Sequence, residues 1–170
     1  MTLPNSTLSS LAWMPDLLEA AFRAVPQRYR DWQPTSWEGI SGEHFSALGQ
    51  VCHVRDIEVE GYHVRIARLL NEDNPSLVSL DSYELAAQKN YDAADPKEAL
   101  TAFRAARAVT LRQLEDITAE QLQRRGAFGE YGSVTLRALV HYLVSHDYQH
   151  LACLNWLLGK IHASEEVGQA

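Results

Sequence analysis

His146 and His150 stand four residues apart in the run His146-Asp147-Tyr148-Gln149-His150. On a helix that spacing stacks both imidazoles on one face, one turn apart. Two neutral imidazoles on an apolar face need hydrogen-bond partners or a cation, and a divalent metal is one answer. The plainer alternative is a pair of core or rim histidines satisfied by carbonyls and water. Zinc and similar ions usually take at least three protein ligands, so a third must come from another element.

The residues around the pair predict a helix over roughly 133–158, ended by Gly159. Its apolar stripe is Leu136, Leu139, Leu143, Leu154 and Leu157. At 100° per residue, His150 falls about 20° from Leu143 and His146 about 20° from Leu139, so both rings face the core or its mouth. His141 points elsewhere and reads as a surface histidine.

Three further helices are expected. One covers roughly 8–30, with Leu11, Leu17, Leu18, Ala21, Phe22 and Val25 on its apolar face and Pro15 and Pro26 starting, bending or ending parts of it. Another begins near Ser41 and runs to about Leu70, with Phe45, Leu48, Cys52, Val59, Ile66 and Leu70 at helical steps. Asn71-Glu72-Asp73-Asn74-Pro75 ends it. A long irregular connection follows over 76–94, holding a short helix around 81–88. Asp95 and Pro96 then start the third, with Asp95 as cap and Pro96 in the first helical position, and it continues to about Ile117. Gly126, Gly129 and Gly132 are turn punctuation rather than a phosphate loop, since no strand precedes them.

No confident strand is predicted. Four long helices in 170 residues, without a repeat, make an all-α four-helix bundle in a single domain, with its core at about 8–158 and a polar tail. Apolar residues at 46% and charged residues at 22% are ordinary for a globular protein. A net charge of −7 with scattered Lys and Arg argues against a nucleic-acid surface. The two cysteines, Cys52 and Cys153, fall on predicted helices and read as buried free thiols of a reducing compartment. With no signal-like start and no membrane-length apolar run, a cytoplasmic protein without membrane contact is expected.

The second predicted helix offers His44, His53 and His63 as third ligand. Periodicity favours His63, in the middle of the Phe45–Cys52–Val59–Ile66 stripe, while His53 falls toward its edge. Helical counting does not select His53.

From about residue 8 to 158 the chain resembles the DinB/YfiT-like family of metal-binding four-helix bundles. The segments that carry the resemblance are His53-Val54-Arg55-Asp56, Asn71-Glu72-Asp73-Asn74-Pro75, Tyr91, Asp95-Pro96, Gly132-Ser133-Val134-Thr135-Leu136 and His146-Asp147-Tyr148-Gln149-His150-Leu151. The resemblance implies His53, His146 and His150 as ligands of a divalent metal, with zinc, nickel and iron all compatible with three histidines. It makes His63 a core or rim residue instead. It implies a metal-dependent enzyme such as a hydrolase or a transferase of a low-molecular-weight thiol, acting on a small molecule, in a homodimer.

Asp147 and Asp56 are candidates to accept a ring N–H from a ligand histidine, or else to pair with an arginine or with solvent. Glu60 is a weaker candidate for general base. Two other readings stay open: a metal-binding or stress-associated bundle without catalysis, and a plain helical bundle that associates through Trp13, Trp32, Trp37 or Trp156.

Overall fold

The computed structural model describes residues 2–167, with side chains to residue 164. Helix α1 (Asn5–Ala24) presents Leu11, Met14, Leu18 and Phe22 inward and ends ahead of Pro26, several residues short of the expected limit. Only a single 3₁₀ turn, Gln27–Tyr29, follows it. Pro15 lies inside this helix rather than at an end. A proline has no N–H, so the carbonyl four residues earlier, that of Leu11, loses its helical donor.

Ser46 caps α2 (Ala47–Asp56) by accepting from the Gly49 N–H at 3.2 Å. The chain then widens into a π-helical segment, Ile57–Tyr62, and resumes as α3 (His63–Asn71). Residues 47–71 therefore form one helical run with a wide turn in its middle. Asp81 caps α4 (Ser82–Lys89), and Asp95 caps α5 (Pro96–Glu115) with Pro96 in its first turn, as the sequence predicts. The connection over 76–94 contains the short helix expected around 81–88, together with a strand and a 3₁₀ turn.

The expected absence of strands is corrected. Strand β1 (Ser76–Leu77) pairs in parallel with β2 (Arg125–Phe128), which pairs antiparallel with β3 (Ser133–Thr135). Strands of two to four residues carry too little alternation to register as a period-two pattern. Gly126 is required here, because a Cβ at this position would sit 2.8 Å from the Pro75 carbonyl oxygen.

Helix α6 (Leu136–Val167) runs through Gly159 instead of stopping there. Ile161, one turn after Leu157, is almost fully buried in the same apolar cluster. Burying an isoleucine is worth about 1.5–3 kcal/mol, more than the ~1 kcal/mol that a mid-helix glycine costs.

Helix α1 packs against α5 and α6, and the 47–71 run packs against the same two helices. The first two long helices in sequence are thus mainly joined through the last two. Two apolar clusters fill the bundle. One gathers Leu11, Ile66, Leu69, Phe128, Leu139 and Leu143, and the other Met14, Phe22, Cys52, Phe103, Leu154 and Leu157. Along α6 the step from Leu143 to Leu154 crosses a polar layer that contains His146, Asp147 and His150.

Arg107 lies at the centre of that layer, 1% exposed. Its guanidinium donates to Glu58 at 2.8 and 3.0 Å, to Asp147 at 2.6 and 3.0 Å, and to the Leu11 carbonyl at 3.1 Å. The last is the acceptor that Pro15 leaves free. Thr110 completes the cluster with a 2.5 Å bond to Glu58. Burial lowers the Arg107 pKa, but the two carboxylates more than reverse it. Replacing Arg107 with Met leaves two buried carboxylates unpaired, and a loss of about 3–5 kcal/mol is expected in urea unfolding. A loss below about 1 kcal/mol contradicts this role.

Candidate metal centre

Three imidazoles converge where α2 faces α6. His53 Nε2 is 3.2 Å from His146 Nε2, which is 3.1 Å from His150 Nε2. One nitrogen from each ring falls within a group no wider than 4.8 Å. His53 and His150 are buried, and His146 is partly open to a cavity of about 240 Å³. The four-residue step on α6 and the inward face of α2 are enough to bring the rings together.

Gln50, one turn before His53, sets the tautomer of His150. Its Nε2 donates to the carbonyls of Glu43 and Phe45 at 3.0 and 3.2 Å and to Cys153 Sγ at 3.2 Å. That orientation turns its Oε1 toward His150 Nδ1, 2.5 Å away. The proton must therefore reside on Nδ1, leaving the His150 Nε2 lone pair directed at the other rings. Burial holds all three histidines neutral. It lowers the His53 pKa to about 4 and drives those of His146 and His150 well below the ordinary value.

These atoms fit a divalent cation. With neutral rings, one proton on His146 Nε2 serves only one of its two neighbours, and the other close nitrogen contact is left without a hydrogen bond. A cation bound to all three removes that conflict. Imidazole nitrogens about 2.0–2.1 Å from one ion sit roughly 3 Å apart, matching the separations between His146 and its two neighbours.

His63, the ligand favoured by periodicity, lies elsewhere, with Nε2 3.0 Å from the Ala106 carbonyl oxygen on α5. The wide turn explains why. In an unbroken α-helix, residues 53 and 63 differ by about 80°. One extra residue in the intervening turn makes them nearly opposite, so His53 faces α6 while His63 faces α5. Val59, placed in the apolar stripe by the same count, is 43% exposed.

Asp56 and Asp147 are not hydrogen-bonded to any of the three rings. Asp56 accepts from Arg55 at 2.9 and 2.7 Å and from Lys89 at 3.1 Å, while Asp147 accepts from Arg107. The Nδ1 atoms of His53 and His146 have no partner among the described residues. Burial pushes the Asp147 carboxyl up to about 6 against the pull of Arg107. Glu60, the weaker candidate, pairs with Lys89. His44 stacks on Trp37, which stacks in turn on Trp156, and His141 is exposed. Trp13 is exposed on α1, and Trp32 packs edge-on against Tyr29.

Glu43 belongs to the site although its sequence context does not mark it. It lies in the polar connection before α2, with carboxylate oxygens 3.7 Å from His53 Nε2 and 3.8 Å from His150 Nε2. Ser82 donates to it at 2.9 Å. The Gln50 bonds to the backbone of residues 43 and 45 hold this segment over the histidines.

Residues 10–154 match the family model described as the DinB superfamily. The chain belongs to the DinB superfamily. Among solved structures it is similar to YfiT from Bacillus subtilis, at 19% identity and a TM-score of 0.81, over 93% of this chain and 87% of that one. That protein is described as a probable metal-dependent hydrolase with an unusual four-helix bundle topology. No curated protein is similar enough to the chain to count as a relative. The DinB fold of this chain thus brings together the three histidines.

Gln50→Leu is expected to weaken zinc binding about 10- to 100-fold in calorimetric titration, because the His150 ring loses the acceptor that orients it. Unchanged affinity contradicts the assignment of that tautomer.

Proposed function

We propose that this protein is a metal-dependent enzyme of the hydrolase or thiol-transferase type, acting on a small molecule. The convergence of three neutral imidazoles beside a cavity carries this reading. A divalent ion held by His53, His146 and His150 retains its full charge, and such an ion acidifies a bound water or thiol. The description of YfiT as a probable metal-dependent hydrolase supports the hydrolytic form.

The chain's own residues supply the rest. Gln50 fixes the ring that presents the His150 lone pair. Glu43, within 4 Å of two ligand nitrogens, is placed to take the proton that a water or thiol gives up at the centre. Ser82 orients the Glu43 carboxylate. The cavity on the His146 side leaves room for a substrate, which favours an enzyme over a non-catalytic metal-binding bundle.

Elemental analysis of protein purified without a metal-affinity column is expected to find one divalent ion per chain, lost in His53→Ala and kept in His63→Ala. Glu43→Gln is expected to retain the ion while hydrolysis or thiol conjugation, screened over small electrophiles, falls about 10²- to 10⁴-fold. Equal metal content in the His53 and His63 variants overturns the ligand set.

A further inference from the structure

Arg65 stands on α3 in the wall of the same cavity as His53 and His146, 6% exposed. Among the described residues it meets no carboxylate, whereas Arg55, Arg68, Arg104 and Arg107 each do. Among the described residues its one hydrogen-bond acceptor is the Val78 carbonyl, reached by Nε at 3.0 Å and Nη2 at 2.9 Å. The guanidinium carbon lies 4.6 Å from the Phe128 ring centroid and 5.3 Å from that of Tyr62. Ring faces attract a cation but do not neutralise it. A buried, uncompensated positive charge is costly, and a bound anion is what relieves the cost.

Room has been made for this group. A Cβ on Gly61, in the wide turn, would lie 2.8 Å from Arg65 Nη1. The Tyr62 ring, 6.0 Å from the His146 ring, stands between the cation and the metal centre. Between the two ends, Phe128, Tyr131 and Tyr142 form a connected aromatic wall with centroids 5.1 and 4.9 Å apart. Glu43 lines the cavity as well.

We infer that Arg65 is the anchor for a carboxylate on the substrate, and that the substrate is a small monoanionic acid with an apolar stem. Arg65 Nη1 is not used in any bond to Val78 and takes the carboxylate. The aromatic wall holds the stem, and the reacting end reaches the histidines. One guanidinium in a cavity also lined by the Glu43 carboxylate suits a monoanion better than a phosphate dianion, which the carboxylate repels. This inference rests on the proposed metal-dependent reaction only for the reacting end.

Two arms test it separately. Hexanoate is titrated calorimetrically into metal-free protein, with hexanol as its uncharged counterpart. Hexanoate is expected to bind at least tenfold more tightly, and Arg65→Gln to abolish that preference. Should R65Q fail to fold, R65K carries the test, since its point charge is expected to keep only part of the preference. Equal binding of acid and alcohol, an undiminished preference in the folded variant, or displacement of hexanoate by a lower concentration of inorganic phosphate overturns the inference. In the second arm, cobalt-loaded protein is given mercaptohexanoate and mercaptohexanol, and thiolate-to-cobalt absorption reports the sulfur. Failure to take up cobalt contradicts the metal reading alone, because the hexanoate arm is free of metal.

Discussion

Arg107 reaches from α5 to every other long helix of the bundle at once. It holds Glu58 in the wide turn, Asp147 on α6, and the Leu11 carbonyl on α1. The α1 contact exists because Pro15 withholds the donor that Leu11 would otherwise meet. The α6 contact fixes the residue next to His146, so the cluster that ties the helices also sets the rotation of the helix that carries His146 and His150.

The wide turn after α2 is the second constraint. It places Glu58 beneath Arg107 and separates the face that carries His53 from the face that carries His63. It also contains Gly61, whose missing side chain admits the Arg65 guanidinium. A local departure from the α-helical repeat therefore serves the bundle core, the histidine that faces α6 and the cavity wall together. Such segments recur at functional sites because they re-aim side chains without breaking the helix.

Much of this was legible in the sequence, for identifiable reasons. Long amphipathic stretches with caps such as Asp95-Pro96 announce their helices, and the four-residue spacing of His146 and His150 survives because α6 is regular where they sit. His53 was beyond any periodic count, since the count assumes the repeat that Ile57–Tyr62 breaks; family resemblance supplied it. Gly159 misled because a glycine signals an end only when nothing downstream is buried, and Ile161 is. Gln50, Glu43 and Arg107 carry no local mark, because their partners lie 40 to 107 residues away in sequence or in a connection without pattern. Asp147 and Asp56 were legible as polar residues near ligands, but their bonds run to Arg107, Arg55 and Lys89.

In the proposed centre one divalent ion is held by three imidazoles and by no protein sulfur. X-ray absorption at the zinc edge of the zinc-loaded protein tests it most directly. Three imidazole nitrogens at about 2.0–2.1 Å are expected, with the remaining scatterers light oxygen atoms. A zinc–sulfur distance of about 2.3 Å, bringing Cys153 into the shell, or fewer than three imidazoles would contradict it.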